Sequence, residues 1–210
     1  MNILIQLTTI FLFISCSSKN QEFSEVKLVN PRFKIENQDN FPDTVIIAVN
    51  KQNAPIEIKV FTSDTTYKLI QFDSNLLVKI REINYNNGKL NGLAKEWTET
   101  GTLFMQRNFK NGKKVGKEEY WYFTGEKNGL LNYNENGNLD GEILWWHKNG
   151  NLETKILIEN GVCNDKSYSY DFDGHLEYIF YHNQDTLYKK EFYSKGILVN
   201  TELLNKYDPY

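Results

Sequence analysis

The sequence predicts an all-β fold: an elongated, twisted, single-layer antiparallel meander of ~24-residue β-hairpin repeats, with extra strands at its N-terminal end. The first observation is an Asn-Gly pair that recurs at intervals of 24, 25 and 24 residues. The second is another glycine 13 residues after each pair. The third is the polar–apolar alternation between these turns, which is typical of strands. The glycines are Gly88, Gly112, Gly137 and Gly161 in the pairs, and Gly101, Gly125, Gly150 and Gly174 after them.

The Asn-Gly pairs predict the hairpin turns. Asn-Gly favours a type I′ turn, in which both central residues have positive φ. Two turns per period leave room for two strands of about six residues each. In the first unit these strands are expected over Leu93–Trp97 and Leu103–Phe109.

Two columns of apolar side chains recur with the repeat. An aromatic residue stands four positions before each second glycine, and a leucine stands two positions after three of them. The aromatic column is Trp97, Trp121, Trp146 and Tyr170, with Phe192 in the less regular last unit. The leucine column is Leu103, Leu152, Leu176 and Leu198. Unit two breaks the leucine column over Lys127–Leu130 and has one extra residue before Asn136, which predicts a β-bulge or a lengthened turn.

The flanks of the repeats predict capping units. Asp64–Lys68 and Asp185–Lys189 resemble each other and lie one period outside the regular units. Thr44–Val49 is a continuous, mostly β-branched run, and apolar residues alternate around Ile58, so extra strands are expected here. Residues 201–207 are a weak candidate for a helix.

The N-terminus predicts a secreted, lipid-anchored protein. The first fifteen residues carry no charged side chain, and the apolar run Ile3–Ile14 is too short to span a bilayer. Phe13-Ile14-Ser15-Cys16 resembles the lipobox of bacterial lipoproteins, which implies cleavage before Cys16 and its acylation. The alternatives are a plain secretory signal with a coincidental cysteine, or a mis-called start codon.

These features divide the chain into five expected segments. They are a signal peptide (1–15), a lipidated cysteine with a polar tether (16–40), an N-terminal β-extension with capping strands (41–84), the repeat sheet (85–200) and a C-terminal tail (201–210). The location that follows is a bacterial cell envelope, on the outer or inner membrane and facing the periplasm or the cell surface.

Composition and motifs argue against several function classes. The content of 40% apolar and 24% charged residues is ordinary for a folded protein, and a net charge of −3 opposes nucleic-acid binding. His147, His175 and His182 have no metal-site spacing, and Cys163 is expected to be a small side chain near a turn. The sequence holds no phosphate-binding loop or hydrolase motif. We expect no enzyme activity, cofactor or metal.

The aromatic side chains are the candidate binding surface. One column runs through Trp97, Trp121, Trp146 and Tyr170. If it is exposed, it would suit binding of a protein partner or a carbohydrate, and if it is buried, it forms the core. A second set, Tyr122, Trp145 and Tyr168, is expected on the opposite face. Because a single layer cannot bury both of its faces, some of these rings should be exposed.

Asn87-Gly88-Lys89-Leu90-Asn91-Gly92 and Asn136-Gly137-Asn138-Leu139-Asp140-Gly141 resemble the MORN-repeat family, and more closely its bacterial variant. The resemblance covers residues 85–200 and implies a twisted single-layer antiparallel sheet. Bacterial members are often labelled as antitoxin components. The sequence therefore favours a non-enzymatic protein-interaction scaffold, with an antitoxin or immunity protein and a carbohydrate-binding protein as alternatives.

Overall fold

The computed structural model describes residues 27–28, 44–75 and 78–204. It confirms the predicted all-β meander: fifteen strands form one sheet, and each pairs antiparallel with the next in the chain. The strands are β1 Lys27–Leu28, β2 Thr44–Val49, β3 Pro55–Phe61, β4 Thr66–Phe72, β5 Lys79–Asn86, β6 Lys89–Trp97, β7 Leu103–Lys110, β8 Lys113–Trp121, β9 Lys127–Tyr133, β10 Gly141–Trp146, β11 Leu152–Ile158, β12 Lys166–Tyr170, β13 Leu176–Asn183, β14 Thr186–Ser194 and β15 Ile197–Leu203.

Three of the four Asn-Gly pairs form the predicted turn. Both residues have positive φ at Asn87-Gly88, Asn111-Gly112 and Asn160-Gly161. The prediction is wrong for Asn136-Gly137, where only the glycine has positive φ. The extra residue of unit two lengthens this loop, which the Asn134 N–H closes with a hydrogen bond of 2.9 Å to the carbonyl oxygen of Asn138.

The second glycines close longer turns, which lie at the opposite ends of the strands from the Asn-Gly turns. Each has positive φ, and its N–H donates to the carbonyl three residues earlier, as from Gly101 to Thr98 at 2.9 Å. The register shifts by one residue beside each of these turns, for example between Glu96 and Trp97 and between Trp145 and Trp146. The bulge expected only in unit two is therefore a feature of every unit.

Backbone hydrogen bonds join neighbouring units on the side of the sheet where the Asn-Gly turns lie. The N–H of Gly112 donates to the carbonyl oxygen of Leu90 at 2.8 Å, and the N–H of Gly161 does the same to Leu139 at 2.7 Å. The side chain of Asn91 accepts from the Asn111 N–H at 3.2 Å. These bonds link each turn to the preceding unit, so they favour units of matching length.

The two faces of the sheet differ, and we name them after two adjacent residues of β8. The Glu118 face carries the column of buried side chains Ala94, Glu118, Ile143 and Ser167. It also holds the apolar cluster of Ile143, Ile156, Ile158 and Cys163. The Glu119 face carries the side chains that alternate with these and is lined with lysines and glutamates.

The ends of the sheet agree with the extra strands but not with the helix. β2 spans the predicted Thr44–Val49, and Pro55 is the first residue of β3, a position that tolerates proline. β1 lies within the segment expected to be a tether. The helix expected over 201–207 is wrong for residues 201–203, which complete β15. Residues 205–207 lie outside the described part of the chain.

The last hairpin departs from the repeat register. Repeat spacing would align Tyr178 with Tyr193, as Met105 aligns with Tyr120, but Tyr178 pairs with Phe192. In three earlier units a positive-φ glycine follows the Asn-Gly turn by four residues, as Gly116 does, and Lys189 takes that place in β14. The shift moves the side chain of Glu191 to the Glu119 face.

Candidate binding surfaces

The expected aromatic binding residues are all half-buried. Trp97 and Trp121 end β6 and β8, Trp145 and Trp146 end β10, and Tyr168 and Tyr170 lie in β12. Tyr122 begins the turn after β8. The most exposed aromatic side chains among the described residues are instead two turn residues, Phe123 at 61% and Phe172 at 57%.

Two indoles of the predicted aromatic column lie under lysines on the Glu119 face. The ammonium group of Lys79 is 4.2 Å from the ring centroid of Trp97, and that of Lys127 is 5.3 Å from Trp146. Each lysine also pairs with a glutamate at 2.9 Å, Glu82 in the first case and Glu119 in the second. The result is a repeated cluster of glutamate, lysine and tryptophan in which a cation stabilises the ring.

Trp145 packs on the other face of the sheet from Trp146. Its ring centroid is 5.5 Å from that of Tyr120, and its indole lies over Gly129 in β9, the preceding strand. A side chain at position 129 would collide with the ring. Trp145 therefore belongs to the packed part of the Glu118 face.

The second aromatic set does not share one face. Thr154 pairs with both Trp145 and Ser169, whereas Tyr168 pairs with the neighbouring Lys155. Because side chains alternate along a strand, Tyr168 lies on the Glu119 face and Trp145 does not. The expected grouping is therefore wrong for Tyr168.

Polar side chains join the longer turns of neighbouring units, which lie at the strand ends next to the aromatic column. The hydroxyl of Tyr122 donates to the carbonyl oxygen of Trp146 at 2.7 Å. One unit further along, Nε2 of His147 lies 3.0 Å from the carbonyl oxygen of Tyr170. Tyr122 and His147 occupy matching positions, so both of these side chains have a structural contact in the free protein.

An ion-pair network on the Glu118 face was not predicted from the sequence. It crosses four strands from β5 to β8: Arg81 to Glu96 at 3.4 Å, Glu96 to Arg107 at 3.2 Å, and Arg107 to Glu118 at 3.4 Å. The side chain of Glu118 is 1% exposed. It also accepts hydrogen bonds from Lys114 at 2.8 Å and from the Tyr120 hydroxyl at 2.7 Å.

The network keeps Glu118 ionised. Burial by itself would raise the pKa of Glu118, but hydrogen bonds from Lys114, Tyr120 and Tyr133 outweigh it and hold the pKa below the ordinary value. Burial and the neighbouring carboxylate raise the pKa of Tyr120, so its hydroxyl stays protonated and able to donate. Every polar group here has a partner, so the cluster is suited to holding four strands together.

A second tyrosine–glutamate cluster forms at the C-terminal end, on the Glu119 face. The carboxylate of Glu191 accepts from Tyr181 at 2.8 Å and from Tyr193 at 2.9 Å, and pairs with Lys189 at 2.6 Å. Hydrogen bonds from Lys189 and Tyr181 lower the pKa of Glu191 to about 2. Glu118 and Glu191 stand at matching positions of their units, and each carboxylate is held by tyrosine hydroxyl and lysine ammonium groups.

The histidines and Cys163 do not converge on one site. His182 contacts Ser167 at 2.9 Å, whereas His147 and His175 lie at turns near Glu153 and Asp171. Cys163 is 3% exposed, and burial raises the pKa of its thiol, so the reactive thiolate is disfavoured. In the described residues, no three His, Cys, Asp or Glu side chains form a group that could hold a metal ion.

The structure bears on membrane attachment only through the residues that it describes. Cys16, the predicted lipidation site, lies outside the described residues. Across the described ranges, no helix has the length and apolar character needed to cross a membrane.

Comparisons with known proteins identify no family. No family description matches the chain, and no curated protein is similar to it. Among solved structures, the chain has a TM-score of 0.29 with a mutant of S. aureus TarM in complex with fondaparinux, alpha-GlcNAc-glycerol and UDP. That match has 11% identity and covers 63% of this chain and 20% of TarM. Another TarM crystal structure matches with a TM-score of 0.27 and 12% identity, over 60% of this chain and 21% of TarM. The chain thus spans about a fifth of TarM, and likenesses this weak carry no argument about function.

Proposed function

We propose that this chain is a non-enzymatic, lipid-anchored repeat protein of a bacterial envelope, acting as a scaffold that binds a protein partner. The observation that carries the proposal is the single-layer sheet, which has no second layer over either face in the described residues. Such a sheet offers a long, open surface that a partner can bind over several units.

The Glu119 face supports binding of a protein in particular. Its clusters of glutamate, lysine and tryptophan combine apolar area with charges of both signs, which suits the mixed surface of a protein partner. Trp97 and Trp146 recur two units apart in the same setting, under Lys79 and Lys127 respectively. Successive members of the aromatic column are two strands apart, or about 10 Å.

Carbohydrate binding has less support on this face. Stacking a sugar on an indole requires an open ring face, and the ammonium groups of Lys79 and Lys127 lie over the rings of Trp97 and Trp146. A protein partner can bind beside the lysines and offer carboxylates to them.

The anchor rests on the sequence around Cys16. Metabolic labelling with a palmitate analogue should tag the wild-type protein and leave Cys16→Ala untagged. Equal labelling of the two would overturn the anchored part of the proposal and leave the scaffold part standing.

The scaffold is tested by recovering partners from envelope extracts with tagged protein. We expect the wild type and the exposed-aromatic control Phe172→Ala to recover the same amount of a partner. Trp97→Ala or Trp146→Ala should recover at least tenfold less of it, as is typical of interface tryptophans. Circular dichroism would establish that the variants remain folded. Equal recovery by all four proteins would contradict binding through the Glu119 face, and recovery of a toxin would favour the antitoxin alternative.

A further inference from the structure

The chain contains seven Asn-Gly pairs, and the hydrogen bonding of the glycine nitrogen sets them apart. Asparagine is a chemically labile residue. The backbone nitrogen of the next residue can attack its side-chain carbonyl carbon, and glycine shields that nitrogen least because it has no side chain. The nitrogen must give up its proton in this attack, so a hydrogen bond that holds the N–H opposes the reaction.

The first two repeat turns, Asn87-Gly88 and Asn111-Gly112, are closely matched. Each pair is followed by a lysine and forms the two-residue turn of a hairpin. Both asparagines are exposed, and their φ angles are 50° and 51°. The turns differ at the glycine nitrogen. The N–H of Gly112 donates to the carbonyl oxygen of Leu90 at 2.8 Å, whereas the N–H of Gly88 has no acceptor in the described part of the chain.

This difference goes with the place of Asn87 at the start of the regular units. The turn at Gly112 lies against a regular unit, and its glycine bonds to that unit. The turn at Gly88 lies against the N-terminal cap, and here the N–H of Asn87 donates instead, to the carbonyl oxygen of Thr65 at 2.8 Å. The side-chain amide of Asn87 makes no hydrogen bond to any described residue, so both reacting groups are free.

The remaining Asn-Gly pairs are held by the fold. Asn91-Gly92 and Asn128-Gly129 lie inside β6 and β9, where strand pairing on both sides fixes the backbone. In the three other turns the glycine N–H donates to a carbonyl oxygen, from Gly161 to Leu139 at 2.7 Å, from Gly150 to His147 at 2.9 Å and from Gly137 to Asn134 at 3.0 Å. Among the described turns, Asn87 is therefore the asparagine that precedes a free glycine nitrogen.

We propose that Asn87 is a site of self-modification, at which the folded chain deamidates. The nitrogen of Gly88 loses its proton and bonds to Cγ of Asn87, the Cγ–Nδ2 bond breaks, and the side-chain nitrogen leaves with that proton as ammonia. Water then opens the cyclic imide at either of its carbonyl groups and gives aspartate or isoaspartate. Both products place a carboxylate at this turn. Isoaspartate also adds a side-chain carbon to the main chain, which the two-residue turn does not accommodate.

Peptide mapping by mass spectrometry tests the proposal on the full chain, incubated in mildly alkaline buffer. We expect Asn87 to deamidate at least about fivefold faster than Asn111, a factor that corresponds to one hydrogen bond of about 1 kcal/mol. The same incubation in denaturant is the control. Both sites have the sequence Asn-Gly-Lys, and neither glycine nitrogen is held in the unfolded chain, so the difference should disappear.

Asn87→Gln is the matched variant, because Gln184 holds the same place in a two-residue turn at a φ of 46°. Its longer side chain disfavours ring closure, so the acidic form that isoelectric focusing detects in the wild type should not accumulate, while circular dichroism shows a folded sheet. Equal rates at Asn87 and Asn111 in the folded protein, or a difference that persists in denaturant, would overturn the proposal. So would faster reaction at another Asn-Gly pair, or an acidic form that Asn87→Gln accumulates as the wild type does.

Discussion

Trp145 occupies the space that a side chain at Gly129 would fill. A Cβ atom on Gly129 would lie 2.5 Å from Cζ3 of the Trp145 indole, closer than real Cβ contacts come. Gly129 also has no positive φ, unlike the other twelve glycines, which do. It is therefore required by the close approach of a ring and not by the conformation of a turn.

Gly129→Ala should destabilise the protein by about 1–3 kcal/mol, because the added methyl group forces the indole out of its packed position. The fluorescence of Trp145 should change with it. Gly125→Ala is the control, since it strains a turn with nothing within 4 Å of the added atom and should leave the emission of Trp145 unaltered. An alanine at 129 that leaves both stability and emission unchanged would refute this packing.

Glu118→Gln should lower the free energy of unfolding by about 3 kcal/mol, because it leaves Arg107 and Lys114 without their buried partner. Denaturant unfolding measures the effect. The matched control is Glu135→Gln, which removes an exposed pair with Lys110 and should change stability by less than about 0.5 kcal/mol. Equal effects from the two substitutions would show that the network does not stabilise the sheet.

Stability should decrease in acid. The pKa of Glu191 is about 2 in the folded protein, below its ordinary value of 4.5. The stabilisation is therefore complete above the unfolded value and is lost as the pH falls from about 4.5 towards 2, and the lowered pKa of Glu118 acts in the same direction. Thermal melts from about pH 6 to pH 3 should show a smaller decrease for Glu191→Gln than for the wild type. A decrease of the same size in both proteins would contradict this assignment.

The sequence predicts the repeat better than it predicts the contacts between units. Turn glycines and the aromatic column can be recognised because they recur with the period. Glu118 could not be recognised as a buried residue, since alanine, isoleucine and serine take its place in the other three regular units. The role of Gly129 could not be foreseen because its partner, Trp145, lies in the next strand. One residue does mark the shifted register between β13 and β14: Lys189 stands where three earlier units have glycine.

Lys127→Ala should expose the indole of Trp146 without unfolding the sheet. The lysine lies over the ring and pairs with Glu119, and both contacts are at the surface, so the expected loss of stability is less than about 1 kcal/mol. Acrylamide quenching of tryptophan fluorescence should increase. Lys117→Ala, on the same strand as Glu119, is the control and should leave quenching as in the wild type. No difference between the two variants would mean that Lys127 does not cover the ring.

The central claim is that a partner protein binds across the Glu119 face, and site-specific photo-cross-linking in the envelope tests it most directly. A photoreactive residue at Glu142 reports on the Glu119 face, and one at Arg81 reports on the Glu118 face. Their side chains are similarly exposed, at 48% and 44%. We predict a discrete cross-linked product from position 142 that is lost when Trp146→Ala is added, and none from position 81. A product from position 81 alone, or none from either position, would contradict the account.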